Sequence, residues 1–183
     1  ENIRKKIPEI EVCGAYDIRP EALENARAKG LYAYSSLDEL LADKTVDIVT
    51  IAVPNNFHKD LAIKALRAGK NVICEKPVTL NSAELEEIIA VRDETGKVFS
   101  IHQNRRWGGD FLTVKETIES GKLGEVFKID SRVHGSRGIP GDWRGQKEHG
   151  GGMIYDWGVH LIDQMVGIVN DQKIVKVYCR CDH

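Results

Sequence analysis

The stretch V46-D-I-V-T-I-A-V53, with the helix-like residues P54-N-N-F-H-K-D-L-A-I-K-A-L-R-A-G-K70 that follow it, decides the fold class. The first eight residues are rich in β-branched side chains and do not alternate between apolar and polar. This pattern is typical of a strand that is covered on both faces of a parallel sheet. The following residues have helical apolar spacing up to Gly69, a residue type that commonly ends a helix. A strand followed directly by a helix is the repeating unit of an α/β protein.

The same unit recurs on both sides of this stretch. The sequence predicts strands at 10–17, 46–53, 71–78 and 97–102, and helices at 21–30, 35–43, 54–70 and 81–97. This alternation predicts a Rossmann-type, doubly wound parallel sheet in a nucleotide-binding domain over residues 1–102. Only sixteen residues precede Asp17, and none of them shows the glycine-rich turn that such domains carry. We therefore expect the first strand and its turn to lie before Glu1, so that the chain is truncated at both ends.

The pattern changes after about residue 103. Residues 103–183 predict the beginning of an α+β domain, with helices at 109–124 and 153–169, an alternating strand at 125–135 and a further strand at 173–181. The segment 135–152 holds seven glycines and one proline and is too long and irregular for a simple turn. It is therefore predicted to be a binding loop.

The composition excludes several classes of protein. The chain has 183 residues, a formal net charge of -2 and 30% charged residues, which do not suggest a general nucleic-acid or membrane surface. Its apolar runs are far shorter than the roughly 20 residues of a membrane span. Cys13 and Cys74 lie in strand-like runs as small buried residues, whereas Cys179 and Cys181 could form a redox pair or half of a metal site. We expect a cytoplasmic protein.

Ligands of doubly wound sheets bind beyond the carboxyl ends of the strands, where Asp17, the VPNN turn and Glu75-Lys76-Pro77 fall. Asp17 could bind the hydroxyls of an adenosine ribose, or it could simply end the strand. A carboxylate there favours NAD because it repels a 2′-phosphate, whereas Arg19 could accept that phosphate and permit NADP. Lys76 could donate hydrogen bonds to a substrate oxygen, or it could be an exposed loop lysine.

Asp156 and His160 stand four residues apart in G150-G-G-M-I-Y-D-W-G-V-H-L-I-D163, which places them on one face of a predicted helix. They could be metal ligands, an acid/base pair or a solvated ion pair. A metal would need further ligands, for which no spacing singles out the available candidates, His134, His149 and Asp163. The three glycines permit close approach of a ligand to the backbone. This favours a functional site.

Two longer motifs carry a family resemblance. AVPNNFHKDLAIKALRAGKNVICEKPVTL and GGGMIYDWGVHLID resemble the glucose-fructose oxidoreductase/inositol dehydrogenase (Gfo/Idh/MocA) family, and the resemblance extends from about Glu9 to Val177. It implies a Rossmann domain that binds NAD or NADP. It also implies a second domain with an open, mainly antiparallel sheet, which carries the substrate site and an oligomer interface. A cis peptide bond between Lys76 and Pro77 is a further implication.

The resemblance also implies residue roles. The catalytic residues are expected to be Lys76, Asp156 and His160, with His160 as the acid/base. The remaining expected contacts are with the cofactor, at Asp17, Arg19, Pro54, Asn55, His58, Glu75 and Lys76, and with the substrate, at Lys76, Arg106, Trp143 and His160. For His58, an exposed position at the start of a helix is the favoured alternative. No metal site is expected.

The activity implied is NAD(P)-dependent hydride transfer to or from a sugar, an inositol or a related polyol, in a homo-oligomer. The alternatives are a non-catalytic dinucleotide- or sugar-binding regulator on the same fold and an NAD-dependent glycosidase.

Overall fold

The computed structural model of the chain describes residues 6–134, 141–169 and 172–180. Two compact units result. The first comprises residues 1–53, 57–75 and 81–101, and the second comprises residues 54–56, 76–80 and 102–183. The turn after the strand of 46–53 and the segment that begins at Lys76 therefore belong to the second unit.

The first unit alternates strands and helices. Its elements are β1 (Gly14–Ala15), α1 (Pro20–Ala28), β2 (Tyr32–Ala33), α2 (Leu37–Ala42), β3 (Ile48–Ile51), α3 (His58–Arg67), β4 (Asn71–Cys74), α4 (Ser82–Thr95) and β5 (Phe99–Ile101). Every strand pair is parallel. The side chains of Leu66, Ile88, Val72 and Cys74 are fully buried in its core. The prediction of a parallel α/β domain of Rossmann type is confirmed.

The parallel strands of this unit form two sheets. β1 pairs with β2, and β3, β4 and β5 form a separate sheet in that order. Among the described residues β3 therefore has a strand neighbour on one edge only, and Ile48 is 51% exposed while Ile51 is 4% exposed. Ile48 and Thr50, which share one face of β3, are both exposed, so the prediction that the stretch 46–53 is covered on both faces was wrong in the described residues.

Local capping explains where the helices of this unit begin and end. The side chain of Ser36 accepts a hydrogen bond from the backbone N–H of Glu39, and Asn81 does the same for Glu84. Helix α4 then ends at Gly96, whose φ of 64° is one that glycine adopts without steric penalty. These caps fix the start of α2 and both ends of α4, and Lys76 lies between β4 and α4.

The second unit is mainly helical. It contains 3₁₀ turns at Asn104–Trp107, Trp143–Gly145 and Lys147–His149, α5 (Gly109–Glu119), a π-helical turn (Ile154–Gly158) and α6 (Val159–Ile168). The predicted helix of 153–169 thus forms, but its first part is π-helical. None of the helices within the described ranges is long and apolar enough to cross a membrane.

The strands predicted for the second unit do not form in the described residues. Residues 125–134 and 172–180 are assigned no strand, and Phe127, Val175 and Tyr178 are 82–94% exposed. The strand predictions for 125–135 and 173–181 were wrong here because a strand is stabilised by hydrogen bonds to a neighbouring strand, and alternation cannot supply that neighbour. Residues 135–140 of the predicted binding loop, and Cys181, lie outside the described residues.

Candidate active site

Lys76 and Asp156, 80 residues apart in the chain, form an ion pair. The Lys76 ammonium donates one hydrogen bond to Asp156 Oδ1 and another to the Asp156 backbone carbonyl, each 2.9 Å long. The two side chains are only 18% and 21% exposed. Lys76 is therefore a partly buried lysine held by a defined partner, and its peptide bond to Pro77 is cis, as the family resemblance implies.

Asp156 lies in the π-helical turn. Its backbone N–H donates to the Gly152 carbonyl at 3.0 Å, which starts the turn. π-Helical turns are rare and are frequent at functional sites. In the described residues the Asp156 carboxylate is hydrogen-bonded to Lys76 and not to His160. The orienting partner of this carboxylate is thus the lysine, which the spacing of Asp156 and His160 alone does not indicate.

His160 is buried, with 6% of its surface exposed, and within the described residues its Nδ1 atom makes no hydrogen bond. Burial lowers the pKa of His160 from its ordinary value of 6.5, and the positive charges of Lys76 and Arg105 lower it further. The carboxylates of Asp156 and Asp163 oppose this shift. The imidazole is therefore held in its neutral form near pH 7, which is the form that accepts a proton.

Arg144 was not identified from the sequence, but it reaches the same carboxylate. Its Nε atom lies 3.8 Å from Asp156 Oδ1, and its Nη1 atom donates to Asp142 at 2.8 Å. Its guanidinium also stacks on the Trp143 ring, with 4.5 Å from Cζ to the ring centroid. Trp143, a predicted substrate residue, is half-buried beneath this cation. The only sequence signal for Arg144 is its position beside Trp143 in the glycine-rich loop.

Arg106 is committed to a carboxylate within the second unit. Its guanidinium donates to both oxygens of Asp163, at 2.8 and 2.5 Å, and this carboxylate raises the pKa of Arg106. Asp163 was one of the metal-ligand candidates, and here it neutralises an arginine instead. The residues that the structure describes contain no group of three or more His, Cys, Asp or Glu side chains that could hold a metal ion.

Two of the three glycines before Asp156 are required by close contacts with other atoms of the protein. Gly150 has a φ of 70°, and a Cβ there would collide with the side chain of Leu80. At Gly151 a Cβ would collide with the backbone carbonyl of Arg144. The prediction that the glycines make room for a ligand was therefore wrong at these two positions, because protein atoms already fill the space.

The VPNN turn contacts the same loop. Asn55 is 4% exposed and donates from Nδ2 to the Gly150 carbonyl at 2.9 Å, and Asn56 Oδ1 lies 3.0 Å from His149 Nδ1. One N–H of the side-chain amide of Asn55, a predicted cofactor contact, is thus used within the protein. Pro54 before it is half-buried.

His58 differs from both interpretations of the sequence. Its side chain is 0% exposed, and Nε2 lies 3.0 Å from the Val53 carbonyl. The prediction of an exposed helix-start residue was wrong, and a fully buried ring is not available for direct contact with a dinucleotide. Glu75 at the end of β4 is half-buried, and its backbone N–H donates to the Ile51 carbonyl at 2.9 Å.

Asp17 and Arg19 bind each other at the end of β1. The guanidinium of Arg19 donates to both carboxylate oxygens of Asp17 at 3.1 Å, and these bonds lower the pKa of Asp17. Asp17 also lines an open hollow of about 350 Å³ together with Tyr16, Ile18, Pro20, Leu23, Glu24, Arg27 and Ser35. An ionised carboxylate beside a hollow at a strand end fits the ribose of a dinucleotide. The sequence does not contain the glycine turn that would bind the pyrophosphate.

Comparison with known proteins gives consistent matches. The profile of the oxidoreductase family with an NAD-binding Rossmann fold matches residues 1–103, and that of the GFO/IDH/MocA C-terminal domain matches residues 111–183. The scyllo-inositol 2-dehydrogenase (NADP⁺) IolW of Bacillus subtilis is 32% identical over 76% of this chain and 39% of its own length. The inositol 2-dehydrogenase of Salmonella typhimurium is 31% identical over 92% of this chain and 49% of its own length.

A solved structure agrees with these relatives. The crystal structure of an NAD-binding protein from Listeria innocua superposes with a TM-score of 0.90 and 52% sequence identity, over 92% of this chain and 50% of that one. The chain spans half or less of the length of these three proteins. Both profiles lie in the order that the motifs predict, and the chain belongs to the Gfo/Idh/MocA family of oxidoreductases.

Proposed function

We propose that the full-length protein is an NAD(P)-dependent oxidoreductase that transfers hydride to or from a sugar, an inositol or a related polyol. One observation carries the proposal. Lys76 is held 2.9 Å from Asp156 on the helical segment that also bears the buried His160, whose Nδ1 makes no hydrogen bond within the described residues. A donor for an oxygen atom and an acceptor for a proton are the two groups that alcohol oxidation needs.

His160 is proposed as the acid/base. When bound, the nicotinamide cofactor takes or gives the hydride. The neutral imidazole takes the proton of the substrate hydroxyl in the oxidation direction and returns it in the reduction direction. The lowered pKa supports this role because it keeps the base unprotonated at neutral pH.

Lys76 is proposed to donate a hydrogen bond to the reacting oxygen and to stabilise its negative charge as it develops. Asp156 supports this by holding the ammonium through its carboxylate and its carbonyl, so that the amine needs little reorganisation when substrate binds. Trp143 is proposed as an apolar surface for the substrate ring. Arg106 would contact the substrate only if it shared the guanidinium N–H groups that now donate to Asp163.

The cofactor is proposed to be NAD, with NADP as the alternative. Asp17 would accept hydrogen bonds from the adenosine ribose, and Pro54, Glu75 and Lys76 would lie near the nicotinamide. Accepting a 2′-phosphate would require Arg19 to leave the two-bond pair with Asp17, which favours NAD. The NADP specificity in the name of the Bacillus subtilis relative keeps the alternative open to test.

The roles of the two domains, the oligomeric state and the location in the cell are also proposals. Residues 1–102 would bind the cofactor, and residues 103–183 would begin the substrate and oligomerisation domain. The exposed apolar side chains of Phe127, Val175 and Tyr178 support pairing of these segments with further strands in a homo-oligomer. The free thiols of Cys13 and Cys74 support a cytoplasmic location.

The test is a spectrophotometric assay of the full-length protein with NAD or NADP against a panel of inositols and sugars. We expect turnover with at least one polyol and a fall in kcat of about 10²–10⁴-fold in His160→Ala, with substrate affinity largely kept. His134→Ala, which changes an exposed histidine, is the matched control.

Normal turnover in His160→Ala would refute the assignment of the base. Tight dinucleotide binding without turnover across the panel would indicate a regulator instead. Release of sugar from glycosides at a constant level of NAD would indicate a glycosidase.

A further inference from the structure

We propose that Asn55 is a positioning residue, which fixes the start of the helical segment carrying Asp156 and His160 by donating a hydrogen bond to the Gly150 carbonyl. The inference rests on the function proposed above, because it assigns Asn55 to that site. It differs from the direct cofactor contact expected for Asn55 from the sequence, because here one N–H of the side-chain amide donates to the protein's own backbone.

The hydrogen bond between Asn55 and Gly150 is buried, and the backbone conformation at Gly150 restricts its geometry. The bond is 2.9 Å long, it joins residues 95 positions apart, and both residues are buried. Gly150 has a φ of 70°, and a Cβ at this position would lie 3.3 Å from Asn55 Cβ. The carbonyl is thus brought against the asparagine by a backbone conformation that favours glycine. A buried carbonyl that loses its donor costs about 1–3 kcal/mol.

Backbone hydrogen bonds hold the chain between this contact and Asp156. The N–H of Gly152 donates to the Arg144 carbonyl at 2.8 Å, and the Gly152 carbonyl accepts from the N–H of Asp156 at 3.0 Å. Fixing Gly150 therefore helps to place Gly152, two positions later, whose carbonyl accepts the hydrogen bond from Asp156. The position of the Asp156 carboxylate depends on the π-helical turn in which it lies.

The segment that carries Lys76 also contacts Gly150. Leu80 packs against Gly150, and the Leu80 carbonyl accepts a hydrogen bond from the hydroxyl of Tyr155 at 2.9 Å. Tyr155 immediately precedes Asp156. The segments that carry the lysine and the aspartate thus meet at one contact region, to which the Asn55 amide donates a buried hydrogen bond.

The consequence for turnover follows from the geometry. A displacement of about 1 Å in a catalytic group can reduce turnover by about 10²-fold without touching substrate binding. Loss of the Asn55 donor should therefore lower kcat and leave the KM for substrate nearly unchanged. Asn55 acts through Gly150 and Asp156, which makes it a positioning residue and not a catalytic one.

The decisive comparison uses two near-isosteric variants of the full-length protein. Asn55→Leu removes the donor permanently, whereas Asn55→Asp removes it only while the carboxyl is ionised. In a buried site the introduced carboxyl has a raised pKa, and on protonation it can donate to the Gly150 carbonyl. His149, whose Nδ1 lies 3.0 Å from Asn56 Oδ1, is unchanged in both variants.

We expect both variants to lower kcat by about tenfold or more near pH 8. As the pH is lowered toward about 5.5, the kcat of Asn55→Asp relative to the unchanged protein should recover, and that of Asn55→Leu should not. Asn71→Ala is the matched control, because Asn71 also donates to a backbone carbonyl, that of Asp47 at 3.1 Å, but lies in the first unit. Its turnover per folded molecule should stay unchanged.

Hydrogen exchange of residues 150–156 gives a readout that needs no turnover. Protection of the N–H groups of Gly152 and Asp156 should fall in Asn55→Leu, and in Asn55→Asp it should fall at high pH and return at low pH. If the full-length protein turns over no substrate, the proposed function fails, but this measurement still decides the role of Asn55. Unchanged protection and unchanged kcat in Asn55→Leu, or identical pH profiles for the two variants, would overturn the inference.

Discussion

Two buried histidines, His58 and His160, stand near helix starts in the two units, but their environments differ. His58 is 0% exposed, and its Nε2 lies 3.0 Å from the carbonyl of Val53, five residues earlier in the chain. His160 is 6% exposed, its Nδ1 makes no hydrogen bond within the described ranges, and the charges around it include Lys76 from a distant segment.

The difference shows that burial alone does not identify a reactive histidine. A buried polar atom is normally paired, and an unpaired one requires an explanation such as a missing ligand or a chemical role. The nearby Val53 carbonyl accounts for the buried ring of His58, whereas the unpaired nitrogen among opposed charges supports the chemical role proposed for His160. The following predictions separate these roles, from the largest expected effect to the smallest.

The largest effect on turnover should follow substitution of Lys76, which lies far from His160 in the chain. Lys76→Met should lower kcat by about 10²–10³-fold, because the reacting oxygen loses its charged donor. The measurement is steady-state kinetics of the full-length protein with the substrate found in the polyol panel. Lys122→Met, an exposed lysine, serves as control, and equal turnover in the two variants would contradict the proposed role of Lys76.

Substitution of His58 should lower the stability of the protein and not its turnover. His58→Leu leaves the Val53 carbonyl without its imidazole partner, so the free energy of unfolding should fall by about 1–3 kcal/mol. Denaturant unfolding measures this change, and kcat per folded molecule should change little. A loss of turnover with full stability would show that His58 has a functional role after all.

A smaller effect concerns the pH dependence of stability. Because the folded-state pKa of His160 lies below 6.5, the unfolded chain binds more protons than the folded one when the pH falls through this value. The free energy of unfolding should therefore decrease as the pH is lowered from about 6.5 toward the folded-state pKa. His160→Leu should remove this contribution, so the measurement is the difference between the two proteins across that range. An identical pH dependence would mean that His160 titrates alike in both states.

The smallest effect is a shift of the His160 pKa, in opposite directions in two variants. Lys76→Met removes a positive charge and should raise the pKa, whereas Asp156→Asn removes a negative charge and should lower it. Nuclear magnetic resonance titration of the imidazole resolves both shifts. Shifts of the same sign would indicate that rearrangement, and not charge, dominates at this site.

The sequence predicted those features that depend on neighbouring residues. Strand–helix alternation predicted the parallel α/β domain, and Asn81 and Gly96 marked the ends of a helix because capping needs only nearby backbone groups. Two long motifs identified the family, which is confirmed. The local pattern was insufficient to predict strands, because a strand needs a neighbouring strand to pair with. At 125–134 and 172–180 the sequence alternates, but no strand forms in the described residues.

The sequence by itself thus determined the fold class, the ends of the capped helix α4 and the family, because these follow from periodicity, capping and motif spacing. Only the tertiary structure decided that Lys76 holds Asp156, that Arg144 reaches the same carboxylate and that Asn55 holds Gly150. It also decided which buried histidine lacks a partner for one ring nitrogen. The physical reason is that hydrogen bonds and ion pairs depend on distances of a few ångströms between groups that are 80 or 95 residues apart in the chain.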